Sequence, residues 1–124
     1  MIPWTLDERD GALRIALSAT SVGWEDIETV LLSLRGYSRR EDVRYVLVDL
    51  VGVDALGIGA VGTLAAWKWL AEARGQRFEL IARAEVAEQL RRCGLEPASG
   101  SEVPTPRLFD EFALRPVDLS PTRA

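Results

Sequence analysis

Apolar residues run almost without a break from Val43 to Val51 (VRYVLVDLV). A run of this kind suits a central strand covered on both faces. Gly52 to Gly57 follows as a short turn, and Ile58 to Arg74 then becomes an Ala/Trp/Leu-rich segment of helical length, closed by Gly75. The stretch Val43–Gly75 therefore reads as strand, loop, helix, and the rest of the chain is arranged around it. Upstream, Trp4 to Asp10 alternates weakly, as an edge strand would, and Asp10-Gly11 signals a turn. Ala12 to Ala19 alternates with Leu13, Ile15 and Leu17 on one side, so the two runs predict a hairpin. Thr20-Ser21 offers a helix N-cap, with Glu25 and Asp26 at the positive end of the dipole. Trp24, Ile27, Val30, Leu31 and Leu34 recur at helical spacing up to Gly36, a C-terminal stop signal, and Tyr37 to Asp42 reads as a charged linker.

Downstream, Arg77 to Arg83 alternates as a strand. Glu85 to Cys93 predicts a short helix stopped at Gly94, with Val86, Leu90 and Cys93 on one face. Glu96 to Val103 reads as a loop. Thr105 caps a last helix with Pro106 at its first position, which Leu108, Phe109 and Phe112 would pack onto the body. Pro116 to Ala124 reads as a flexible tail. The predicted order is β-β-α-β-α-β-α-α. It implies an α/β domain over residues 1–115: a mixed, mostly parallel sheet of about four strands, started by an antiparallel hairpin and flanked by about four helices.

Composition narrows the function classes. A chain of 124 residues suits one domain with its own core. The net charge is −4, and Arg39-Arg40 and Arg91-Arg92 are isolated pairs, so no basic stripe tracks nucleic acid. There is no histidine, which removes His-based acid/base catalysis and His-containing metal sites. Cys93 is the only cysteine, so there is no internal disulfide, and a lone thiol fits a reducing cytoplasm. No signal peptide opens the sequence, and no apolar run approaches the ~20 residues of a membrane span. Asp7, Glu8 and Asp10 read as a solvated turn rather than a metal site. The expectation is a cytoplasmic, non-enzymatic protein without cofactor or metal, and without membrane insertion.

Gly57, Gly59 and Gly62 form a literal G-x-G-x-x-G before the long helix. One reading is a nucleotide site, in which glycines let the backbone approach a pyrophosphate at a helix N-terminus. Glu79 and Glu85 lie near the expected acidic position. Against it, Gly52 to Leu56 separate the motif from its strand, and a hairpin and helix precede that strand.

The segment Val46-Leu47-Val48-Asp49-Leu50-Val51-Gly52-Val53 resembles the core strand of the STAS family, the anti-sigma-factor antagonist domains. In that family an Asp-Leu-Ser-Gly-Val strand end is followed by an Asp-Ser-Ser-Gly-Leu-Gly loop and a helix. Ala73-Arg74-Gly75, the strand Phe78–Ile81, and Val86, Leu90 and Gly94-Leu95 resemble the next elements, so the likeness spans residues 10–115. Counting from Asp49, the loop Asp falls on Gly57, the first Ser on Ile58, the phosphorylated second Ser on Gly59, and the following Gly on Ala60, with Val61-Gly62 keeping the Leu-Gly pattern. Ser18 to Val22 matches the family's segment before the first helix only loosely.

The resemblance implies a STAS-like fold and a protein–protein role in bacterial regulation, with a degenerate phosphoacceptor loop. Glycine has no hydroxyl, so Gly59 cannot accept phosphate, and Thr63, the nearest hydroxyl, is not at the family's position. The partner would be an anti-sigma factor of the histidine-kinase-like ATPase type, acting as serine kinase, or another STAS protein. The expected contact surface is Asp54, Leu56, Gly57, Ile58, Gly59, Ala60, Gly62, Thr63 and Trp67. Alternatives are an accessory subunit of a membrane transporter and a small nucleotide- or lipid-binding protein.

Trp67 and Trp69 point about 200° apart on a helix, so both cannot face one sheet. At least one is expected at the surface or in an interface, which would favour a homodimer. Lys68 and Glu72 form an i, i+4 pair. Asp49 is expected to bond loop N–H groups. A phosphoacceptor role would require an acidic pair after the first strands, where Ser18-Ala19-Thr20 stand, and a late lysine, whereas none follows Lys68. Cys93 is expected to be a buried structural thiol.

Overall fold

A computed structural model describes residues 2–38 and 42–98. Two strands, β1 (Trp4–Arg9) and β2 (Ala12–Val22), form the antiparallel hairpin. Its turn has positive φ at both Asp10 (50°) and Gly11 (82°), the backbone that a tight hairpin twist demands. Next come α1 (Trp24–Ser33), the one-turn α2 (Arg35–Ser38), β3 (Tyr45–Leu56), α3 (Ala60–Ala73), β4 (Arg77–Ala82) and α4 (Ala84–Arg92). The sheet order is β1-β2-β3-β4, with β3 parallel to both β2 and β4. The expected last helix at 105–112 and the tail at 116–124 lie outside the described residues.

The main departure from the sequence reading is the length of β2 and β3. The turn expected at Gly52–Gly57 is strand up to Leu56, because β2 continues past Ala19 and supplies a partner. Ser18 pairs with Gly52, Ala19 with Val53, Ser21 with Ala55 and Val22 with Leu56. A bulge between Ala16 and Ser18 resets the register. At Gly52 an added Cβ would stand 3.0 Å from the Leu17 carbonyl oxygen, so the bulged strand approaches only a glycine. Thr20 and Ser21 are consequently strand residues and do not cap α1. Gly23 is the N-cap, and its N–H donates to the Asp26 carboxylate at 2.9 Å. Gly36 is no stop either, since it lies within α2.

Both parallel crossovers step in the same direction along the sheet, and α1 packs against α3. Ile27, Val30, Leu64, Trp67, Val86 and Leu90 join Leu13, Ile15, Val46, Val48 and Phe78 in one core on the helix side. The Trp67 and Phe78 rings meet edge to face, 5.6 Å between centroids. The other sheet face carries a second cluster of Ala12, Tyr45 and Leu47, with Ile81 beside it. No helix of the described residues is long and apolar enough to cross a membrane.

Candidate partner-binding surface

The candidate surface lies where β3 gives way to α3, and both sides of this junction are fixed. Gln89 of α4 grips the Leu56 backbone twice: the Leu56 N–H donates to Oε1 (3.1 Å), and Nε2 donates to the Leu56 carbonyl (3.2 Å). On the other side the Gly57 N–H donates to the Val22 carbonyl at 2.7 Å. Asp54 pairs with Arg83 at the start of α4. Between these anchors the chain turns outward at Ile58, whose side chain is 95% exposed.

Gly59 makes the turn possible. Its φ is +77°, the left-handed region that residues with a Cβ resist. An added Cβ would stand 3.0 Å from Trp24 Cδ1 and 3.3 Å from Trp24 Cβ and Cγ. The indole of Trp24 therefore fills the space into which a side chain at 59 would project. Trp24 keeps 44% of its surface exposed, and with Ile58 it makes an apolar tip at this end of the sheet. The Thr63 hydroxyl is used locally, donating to the Gly59 carbonyl at 3.0 Å.

Not all of the expected surface residues are at the surface. Leu56, Ala60 and Trp67 are buried, because Leu56 closes the strand end and Ala60 and Trp67 point from α3 into the core. The assignment of Trp67 to the contact surface is thus corrected: it packs on Phe78, and the outward aromatic is Trp69 at 69% exposure. Asp54, Ile58, Gly59 and Gly62 are exposed, while Gly57 and Thr63 are half-buried. Sequence reading missed Trp24, which it placed on the buried stripe of α1. It also missed Leu32 and Leu70, both exposed. A groove of about 190 Å³ between α1 and α3 is lined by Leu31, Leu32 and Leu70, with Glu28, Arg35 and Arg74 on its rim. Position in the helix could have flagged Trp24: it is the first residue of α1, three residues before the first buried one, Ile27.

Gly62 differs from Gly59. An added Cβ there meets nothing within 4 Å, and the residue sits in the first turn of α3. Gly62→Ala is therefore expected to stabilise the fold by about 0.5 kcal/mol, read as a raised midpoint in urea unfolding. No change or a lower midpoint would mean that Gly62 has a role that the geometry does not reveal.

The other candidate residues are structural. Asp49 lies inside β3 and accepts from Arg14 Nη2 (2.6 Å) and from the Val51 N–H (2.9 Å). Lys68 and Glu72 pair at 3.1 Å. Cys93 is exposed at the C-cap of α4, not buried as expected, because the helix face turns away at its last residue. The glycine motif lacks the setting of a dinucleotide site. Ligands in open α/β sheets bind where adjacent crossovers diverge to opposite faces. Here α1 and α3 lie together on one face, so among the described residues the crossovers on either side of β3 do not diverge.

No family model matches the chain, and no curated protein matches it. Solved structures do. The unphosphorylated anti-sigma factor antagonist SpoIIAA superposes with a TM-score of 0.64 at 11% identity, over 90% of this chain and 99% of that one. An anti-sigma factor antagonist from Mycobacterium paratuberculosis gives 0.59 at 16% identity, over 78% and 86%. The crystal structure of Mglu gives 0.53 at 21% identity over 60% of this chain, which spans only 18% of that chain's length. A hairpin-led mixed sheet in the order β1-β2-β3-β4, with its packed helices on one core, is shared nearly end to end with SpoIIAA, and the chain has the STAS fold of the anti-sigma factor antagonists.

Proposed function

We propose that this chain is a non-enzymatic protein-interaction module of bacterial regulation, anti-sigma-factor-antagonist-like, acting in the cytoplasm as a single STAS domain over residues 1–115. Its partner is an anti-sigma factor of the ATPase/serine-kinase type or another STAS protein. Binding is independent of phosphorylation. One observation carries the reading: on a fold shared with antagonists, the loop that opens α3 has a left-handed glycine at 59, closed over by Trp24. The family's acceptor hydroxyl is missing, and its place is taken by an apolar ring.

The contact is then made by the tip itself. Ile58 is held outward by a loop anchored through Gln89 and Val22, so little ordering entropy opposes its burial in a partner. Burying such a side chain contributes about 1.5–3 kcal/mol, enough for an interface anchor. Ile58→Asp should leave stability within about 0.5 kcal/mol, since the side chain touches solvent. It should abolish capture of the partner that wild type pulls from the native host. Retention of the same partner by Ile58→Asp would place the contact elsewhere on the molecule.

A further inference from the structure

Helix α3 is apolar on two opposite faces. Ala60, Leu64, Trp67 and Ala71 are buried against the sheet. Half a turn away, Ala66, Trp69, Leu70 and Ala73 recur at i, i+3, i+4 and i+7, the spacing of a second packing stripe, and all four are exposed. Among the described residues the large exposed apolar side chains are Trp69, Leu70 and Leu32, the tip pair Trp24 and Ile58, and Val51. The first three gather on the outer surface of α1 and α3. Leu32 and Leu70 share the groove between the two helices, and Trp69 stands beside Leu70 on the stripe. A helix face of this composition calls for a cover, whereas apolar residues scattered singly would not.

The order of residues on the stripe points to the occupant. It reads the same in both directions, small, large, large, small, as Ala66, Trp69, Leu70 and Ala73. Two α3 helices packed antiparallel about a two-fold axis between Trp69 and Leu70 set Ala66 of each against Ala73 of the other, and the large pairs fill the middle. In such a pair each flank of one helix meets the same flank of its copy. The flank away from α1 carries Lys68 and Glu72, which pair at 3.1 Å within the chain. The antiparallel order brings Lys68 of one copy beside Glu72 of the other, and Glu72 beside Lys68, so that the four charges alternate. The Lys68–Glu72 pair has no net charge, whereas the whole chain carries −4, so two copies meet here with less repulsion than elsewhere. A foreign partner requires no such symmetry, and a second copy does.

We propose that α3 docks antiparallel on α3 of a second copy of this chain, with Trp69 and Leu70 at the two-fold axis, Leu32 extending the apolar contact, and Lys68 and Glu72 paired between copies. One helix face per copy lies at the small, transient end of interface sizes. The dimer therefore forms at high concentration and dissociates in dilute solution. The Ile58 tips stay open at opposite ends of the helix pair, because α3 begins two residues after each tip. The two surfaces do not overlap, so dimerisation and partner capture are tested separately.

Sedimentation of the full chain from about 5 µM to about 1 mM tests this, a range that spans weak dissociation constants. Wild type should pass from monomer toward dimer across it. Trp69→Ala should weaken the association at least about tenfold, as truncation of a central tryptophan does. Lys68→Glu alone and Glu72→Lys alone should each associate at least about tenfold more weakly than wild type, because like charges then meet between copies. An equimolar mixture of these two charge variants should form a mixed dimer as readily as wild type pairs with itself. Urea midpoints measured in dilute solution check that every variant is folded. A wild-type chain that stays monomeric throughout overturns the proposal and leaves this face to a different protein. A dimer that Trp69→Ala leaves intact also overturns it, since the contact would then run through another face. Failure of the mixed charge variants to associate contradicts the antiparallel pairing.

Discussion

Trp67→Ala is expected to lower the unfolding free energy by about 3–5 kcal/mol, and Trp69→Ala to change it by no more than about 0.5 kcal/mol. The two residues sit two positions apart on α3 and differ in what they touch. Trp67 is 4% exposed and edge-on to Phe78, at the point where α3 lies on the sheet. Removing it opens a cavity that the paired strands beneath cannot collapse to fill, so the lost contacts and the void both count. Trp69 projects into solvent and leaves no cavity. Urea unfolding of both variants, analysed at a common slope, checks the contrast. Similar losses at the two positions would mean that Trp69 is covered in solution, as it would be in a homodimer, and sedimentation of the wild-type chain would test for that dimer.

Gly59→Ser is expected to cost about 2–5 kcal/mol and to install no phosphorylation switch. A residue with a Cβ pays about 1–2 kcal/mol for the left-handed backbone at this position. The new Cβ also meets the Trp24 ring at 3.0 Å, where overpacking adds about 1–3 kcal/mol. The two causes separate in a cycle. Adding Trp24→Ala should recover the steric part and leave the backbone part, so the double variant should be more stable than the sum of the single changes predicts. Strict additivity would show that Trp24 does not occupy this space. The prediction bears on the proposed function, because a hydroxyl installed at position 59 by one substitution would then cost stability for a physical reason. Position 59 and Trp24 of α1 are packed too closely for a side chain to be added at 59 alone.

How far the sequence could be read follows from which forces are local. The hairpin, the central strand, α3, β4 and α4 were legible because period, turn residues and closing glycines each mark their own segment. The ends of β2 and β3 were not. Gly52 carries a turn signal by itself, and only the pairing with Ser18 and the bulge before it turn that signal into a strand. The loop residues were placed correctly in the chain, and Ile58 and Gly59 are exposed at the junction as expected. Trp67 was misassigned because a helical period cannot say which of two opposed tryptophans faces the sheet. The closure of Gly59 by Trp24 joins residues 35 positions apart, a contact that no local pattern encodes. Cys93 was misread for the opposite reason, since a face drawn from helical spacing does not hold at the last turn.

The most direct test of the central claim joins binding to mass. The chain is incubated with the protein partner that it captures from its host, with and without ATP, and examined by affinity measurement, intact mass and peptide mapping. The account predicts the same affinity in both conditions and no phosphate anywhere in residues 54–63. Phosphate at Thr63, or binding that is lost once ATP is added, would contradict it.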